Sequence, residues 1–233
     1  MFLAGLVLAW FAWTKWSLLK LMADKETRPI GSLAGGFAEL KGRIVPLQTE
    51  LSPYSGEPCV YYDYIVEEYR QSGKSGHWRT ISSGKRCHDF LIDDGTGKAR
   101  IQAEGASFHL NVDAHGKSGT FNSPTPQLQD FLSRIGVSST SFFGMSNRAL
   151  RVKETFLSPG DQMYILGFAR PDRDPSSGAK VVVSKDPSAP AFIVSDKSEE
   201  ELGASIRNTA LALSFFALLA IVAGPLVAIL VKA

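Results

Sequence analysis

Apolar residues along this chain gather in two long blocks at its ends, and between them they alternate with polar residues in short runs. Thr209–Val231, TALALSFFALLAIVAGPLVAILV, is 23 residues without a charge. At ~1.5 Å per residue a helix of that length spans the ~30 Å hydrocarbon core of a bilayer. It lacks the polar stripe that a core helix of a soluble protein would show. At the other end, MFLAGLVLAWFAW runs on through TKWSLLKLM, where Lys15 and Lys20 join further apolar positions. Lysines near a membrane edge extend their ammonium groups to water, and Trp10, Trp13 and Trp16 suit an interfacial belt. No basic side chain precedes the block and no small-residue cleavage site follows it. The pattern predicts a signal-anchor helix over residues 2–22 and a second transmembrane helix over 209–231.

The polar, glycine-bearing stretch ADKETRPIGSLAGGF predicts a juxtamembrane linker over residues 23–37. Period-two alternation then dominates residues 38–200. In CVYYDYIVEEY, Val60, Tyr62, Tyr64 and Val66 share one face while Asp63 and Glu67 share the other, a half-buried strand. Phe90 and Ile92 alternate with Leu91 and Asp93, DDGTG supplies turn residues, and Ala99, Ile101 and Ala103 alternate with Arg100 and Gln102. That is a hairpin. Further strands are read at Phe108–Leu110–Val112, at Met163–Ile165, in AKVVVSK and in AFIVS. PTPQLQDFLSRIG instead sets Leu128, Phe131, Leu132 and Ile135 at helical spacing, with proline early and Gly136 as a stop. The fold class expected is α+β: a β-rich domain, a partly closed barrel or sandwich with one or two helices, between two transmembrane helices.

Charge narrows the partners. The formal net charge is +2, but removing Lys15, Lys20 and Lys232 leaves 22 basic residues against 23 acidic ones. A middle domain so close to neutral carries no nucleic-acid footprint. Lys15, Lys20, Lys25 and Arg28 follow the first span, so the positive-inside rule places the domain in the cytoplasm and the termini outside.

Candidate chemistry is thin. Cys87, His88 and Asp89 stand near Asp93 and Asp94, and His77, His109 and His115 are close in sequence, yet no C-x-x-C pair of a structural zinc site is present. Asp93 and Asp94 would point to opposite faces of a strand, and their place before Gly95-Thr96-Gly97 predicts a turn role. Ser52, Ser55 and Cys59 lie in or beside a loop without a G-x-S-x-G elbow. Cys59 and Cys87 would pair in an oxidising compartment and stay reduced and buried in the cytoplasm.

PLQTELSPYSGEPCVYYDYIVEEY, the tryptophan in HWRTISSGKR, FLIDDGTGKARI and above all RVKETFLSPGDQMYILGFAR together resemble the GIDE-type, or "beside a membrane", domain. The resemblance covers about residues 30–200 and includes the flanking spans. Family members include mitochondrial membrane-anchored ubiquitin ligases and prokaryotic relatives, and this chain resembles the prokaryotic type. In the ligases a RING finger follows the second span and needs eight Cys/His ligands. This sequence holds two cysteines and four histidines. The resemblance therefore implies the tethered domain, in the family a recogniser of partners at the membrane, without the ligase chemistry.

The function expected is that of a membrane-anchored, non-catalytic protein-interaction domain, with no cofactor and no metal. Its partners are the bilayer and another membrane or membrane-proximal protein. Ser52, Tyr54 and Glu57 are the expected exposed rim for protein contact. Gly5 and Ala9, and Ala220, Gly224 and Ala228, form small-residue stripes for helix packing within or between chains, and Pro225 is a candidate kink. Two rivals stay open: a hydrolase or transferase using Cys87, His88 and Asp93, and a lipid or small-ligand carrier with an apolar cavity.

Overall fold

The computed structural model describes residues 2–24, 26–73, 75–119, 122–140 and 147–230. The chain divides into two units, residues 29–196 and the paired ends 1–28 and 197–233. In chain order the elements are α1 (Phe2–Ala23), β1 (Gly36–Pro46), β2 (Glu50–Leu51), β3 (Pro58–Cys59), β4 (Tyr61–Ser72), β5 (Ser75–Cys87), β6 (Phe90–Asp93) and β7 (Lys98–Gln102). They continue with β8 (Ser107–His109), β9 (Ala114–Lys117), α2 (Pro126–Arg134), β10 (Leu150–Leu157), β11 (Gln162–Pro171), β12 (Val181–Ser184), β13 (Ile193–Ser195) and α3 (Glu199–Leu230).

A ring of five strands organises the middle unit. β1 is long enough to serve two neighbours: Gly36–Arg43 pairs with β11, and Arg43–Pro46 pairs with β6. The change of partner falls at Gly42, where a Cβ would lie 2.8 Å from the Asp93 carbonyl oxygen. β6 and β7 form the hairpin read from the alternation, β7 runs parallel to β12, and β12 returns antiparallel to β11. Numbered by their order along the chain, the five ring strands run 1-2-3-5-4-1, a Greek-key barrel of the OB type. Leu40, Ile44, Phe90, Ile92, Ala99, Ile101, Ile165 and Val183 fill its interior. Shortening one of the fully buried isoleucines to alanine costs ~2–5 kcal/mol. β13 and then β8 extend the β11 edge, but β8 ends at His109 and Val112 is exposed.

Part of the expected linker belongs to this fold. A 3-10 turn at Ile30–Ser32 sends Ile30 and Leu33 into the barrel core, because both are aliphatic, and Gly36–Phe37 already lie in β1. Asp94 ties the turn to the β6–β7 hairpin. One carboxylate oxygen accepts from Thr96 N, Thr96 Oγ1 and Gly97 N, and the other from Ile30 N at 2.8 Å.

The second sheet, β5-β4-β10-β9, is built from segments inserted between ring strands. Tyr61 and Leu157, at the ends of β4 and β10, reach back into the barrel core. α2 covers one face of this sheet, its Leu128, Phe131 and Leu132 packing on Val66, Leu150 and Val152. The sequence sets its limits as expected: Thr125 Oγ1 accepts from Leu128 N, Pro126 opens the first turn, and Gly136 adopts φ +71°.

In the unit formed by the ends, α1 and α3 pack antiparallel. A Cβ at Gly5 would lie 2.7 Å from Ile221 Cγ1 and 3.3 Å from the Ala217 carbonyl oxygen, and Trp16 Nε1 donates to Ser214 Oγ at 3.4 Å. Gly5 lies against Ala217 and Ile221. Ala9 and Ala220 are half-buried, and the side chains of Gly224, Pro225 and Ala228 lie outside the described residues. Leu3, Leu6, Trp10 and Trp13 on α1, and Leu211, Phe215, Leu218 and Val222 on α3, are exposed. α3 starts at Glu199, ten residues before the apolar run. Among the described residues, Glu199–Val222 is the segment long and apolar enough to cross a bilayer by length and composition, with mean hydropathy 1.7.

Candidate functional site

The SPYSGEP loop closes on a buried carboxylate. Glu154 lies in phase with the buried Val152 along β10 and is itself fully buried. Its Oε1 accepts from Tyr54 N at 2.6 Å, and its Oε2 from Ser55 N at 2.8 Å and Ser55 Oγ at 2.5 Å. Ser52 Oγ meets Ser55 Oγ and accepts from Glu57 N, while the Tyr54 hydroxyl donates to the His115 carbonyl. The Tyr54 ring packs edge-on to Phe131, and burial, with Glu154 second, raises its phenol pKa. The exposed rim expected at Ser52, Tyr54 and Glu57 is therefore corrected: Tyr54 is drawn inside with Ser55 because the buried anion takes their donors, and Ser52 is buried against Ser55 Oγ and Glu57 N. Only Glu57 shows its side chain to solvent.

The catalytic candidates do not converge. Both cysteines are free. Burial, followed by the negative charge of Glu50, pushes the Cys59 thiol up to about 12; burial and then Asp89 push Cys87 up to about 11. Neither is a thiolate near neutral pH. His88 Nε2 stands 2.8 Å from Glu50 Oε1, and both atoms are buried without other partners, so a proton on Nε2 satisfies the pair. Asp93 Oδ1 accepts from Gly95 N in the hairpin turn. Cys87, His88 and Asp93 thus make three separate local contacts. Among the described residues no three His, Cys, Asp or Glu side chains stand together as a metal site would require.

On the outer wall of the barrel, Arg100, Arg170, Val182 and the loop residues Asp172, Arg173 and Asp174 line a cleft of ≈ 720 Å³. OB barrels of other proteins take ligands on the wall of their second and third strands. Here two of the three guanidiniums are engaged within the chain, while Arg173 is exposed. Arg100 donates to both oxygens of Asp172, at 2.9 and 2.8 Å, and Arg170 pairs with Asp186. The Arg100 hydrogen bonds hold the Asp172 carboxyl down at about 2. Two of the wall's three arginines are thus neutralised within the chain.

The face of the second sheet opposite α2 is open. Tyr69 and Trp78 are cross-strand partners on β4 and β5, exposed by 42 % and 37 %, with ring centroids 5.4 Å apart. Arg151 on β10 lies over the Trp78 ring at 4.2 Å and donates to Glu67 through two bonds, at 2.5 and 2.9 Å, which lowers the Glu67 pKa. Register places Lys117 beside Arg151, and Lys153 between Ile65 and His115, on the same face. Lys85 stands over the rings of Phe108 and Tyr61. Solvent-exposed aromatics framed by cations are features of a contact surface rather than of a core. Sequence reasoning used Trp78 only for the family resemblance and gave neither it nor Arg151 a place in a site. The available signal was the HWRT run, whose tryptophan falls between polar residues on both sides.

Residues 62–229 match the family described as GIDE, E3 ubiquitin ligase. The match takes in well over half of the chain, and the protein belongs to this family. No match was found among curated proteins or among solved structures.

Proposed function

We propose that this protein is a two-span membrane anchor presenting a non-catalytic GIDE-family domain that binds another protein. The observation that carries the proposal is the open face of the second sheet, with Trp78 and Tyr69 in solvent beside Arg151, Lys117 and Lys153. A sheet face without a covering layer is a place where a second molecule can bury apolar surface, at ~25 cal/mol per Å². The chain's reactive groups support the same conclusion, since both thiols are held protonated.

Two spans are supported by the outward apolar side chains on both α1 and α3. The ~48 Å length of α3, at ~1.5 Å per residue, exceeds the hydrocarbon core, so its acidic start at Glu199–Glu201 lies in water. The positive-inside reading puts the domain in the cytoplasm. The description "E3 ubiquitin ligase" belongs to the family; ubiquitin transfer is not assigned to the residues of this chain.

Photo-cross-linking in intact cells tests the function. A benzophenone amino acid at Ile65, on the open face, is expected to trap a protein, and one at Arg173, beside the barrel cleft, is not. Trapping at Arg173 alone, or any turnover abolished by Cys87→Ala, would overturn the proposal. Extraction tests the anchor: release of the full-length chain by alkaline carbonate, without detergent, would rule out two spans.

A further inference from the structure

We infer that the partner is engaged through an acidic extended segment that adds as a further strand along the outer edge of β5. This deepens the function proposed above and rests on it. β5 covers Ser75–Cys87, pairs with β4 alone among the described strands, and forms the edge of its sheet. Its burial is low throughout, and Ser75–Thr80 are all exposed. The opposite edge, β9, spans only four residues.

Three features fit an added strand. First, β5 contains no proline, so its backbone keeps every ladder donor. Second, its two interior glycines are backed by rings from β4. A Cβ at Gly76 would strike the Tyr69 hydroxyl at 1.9 Å, and one at Gly84 the Tyr64 ring at 2.5 Å. The rings cover the glycines from within the sheet and steady the edge strand, which carries no side chain of its own at either point. Third, the charges are of one sign. His77, Arg79, Lys85 and Arg86 lie on β5, and no acidic residue does. Lys85 shares the open face with Trp78, while Arg79 and Arg86 fall on the other side, because a bulge at Ile81, between the partners of Val66 and Glu67, shifts the phase of the strand. Arg86 is paired with Glu50 at 3.2 Å, so an incoming strand meets Lys85 and the Trp78 ring on one face and Arg79 on the other.

Charge chooses the occupant. A second copy of this chain pairing edge to edge would set Arg79, Lys85 and Arg86 against the same residues, which disfavours self-association. An anionic bilayer would satisfy the cations but not the row of backbone donors and acceptors. An extended segment carrying Asp or Glu at alternate positions and one apolar residue over Trp78 satisfies charge, ring and backbone together.

The test uses the full chain in phosphatidylcholine nanodiscs. The probe is a fluorescent peptide of about ten residues alternating Glu with Val and Thr, the upper end of the usual strand lengths and shorter than β5. Saturable binding is expected, weakening at high salt, absent for the Lys-for-Glu peptide, and reduced at least ~10-fold by Arg79→Glu with Lys85→Glu. Hydrogen exchange should slow at residues 77–85 when the peptide is added, and the unliganded variant should keep wild-type protection in β4. Equal binding by the variant, slowing elsewhere than β5, displacement of the peptide by phosphatidylserine vesicles, or a β5–β5 cross-linked dimer would each overturn the inference. A protein trapped through Ile65 whose capture survives Arg79→Glu with Lys85→Glu would sink the strand-addition mode alone. No trapped protein at all would sink the binding function with it.

Discussion

Replacing Glu154 by glutamine should unfasten the loop at residues 52–57 while leaving the side-chain volume unchanged. The carboxylate accepts three hydrogen bonds from Tyr54 and Ser55, and it is fully buried. Glutamine keeps one acceptor oxygen and turns an NH2 toward groups that are themselves donors. At ~1.5–3 kcal/mol for a lost bond to a charged group, and ~1–3 kcal/mol for each buried donor left unsatisfied, the loop should lose ~3–5 kcal/mol. Amide hydrogen exchange followed by mass spectrometry reads this locally, which suits a chain of two units. Exchange at Tyr54 and Ser55 should accelerate by about two to four orders of magnitude in Glu154→Gln, with Glu57→Gln, at the surface, staying near wild type. Ser55→Ala in the Glu154→Gln background should add less than it costs alone, since the two share one network. An acceleration below ~10-fold in Glu154→Gln would show that the buried carboxylate does not hold the loop.

Three further outcomes follow from the geometry. Asp172 has a folded pKa of about 2, below its unfolded value, so its contribution to stability is complete above ~pH 4 and lost as pH falls toward 2. Acid unfolding of wild type should therefore be steeper than that of Asp172→Asn over that window, by about 2 kcal/mol at most; equal slopes would refute it. With pKa values of about 12 and 11, Cys59 and Cys87 should react with iodoacetamide at pH 8 more than ~100-fold slower than an ordinary thiol in the folded protein, and at ordinary rates in denaturant. Gly5→Val should force α1 and α3 apart, since the added Cβ meets Ile221 at 2.7 Å; loss of a Gly5–Ile221 region cross-link in micelles checks this, and an unchanged cross-link would refute it.

Alternation made the barrel legible. Ala99 and Ile101 are buried while Arg100 and Gln102 look outward, and DDGTG turns as its residues require. Ring closure was not legible, because it depends on β1 changing partners at Gly42 and on β7 meeting β12 in parallel some eighty residues later. Local pattern carries no trace of such pairings. The loop at residues 52–57 misled for another reason: its serines and tyrosine are polar enough for a surface, and the anion that draws them inward lies about a hundred residues further on. A charge in phase with Val152 on β10 was the one available hint. Trp78 and Arg151 escaped because a lone aromatic and a lone cation become a surface only when register sets them side by side.

The interleaving of the two sheets also sets a timetable for synthesis. β4 pairs with β10, so Tyr61 must wait for Leu157 to emerge, roughly a hundred residues later. At ~5–20 residues per second this interval is about 5–20 s. During it the β4–β5 hairpin stands near the ribosome with Ile65, Tyr69 and Trp78 unsheltered and with α2 not yet made. Such a nascent hairpin survives by repelling its own kind, and the like-charged residues on β5 are placed to do that from the first moment they leave the tunnel.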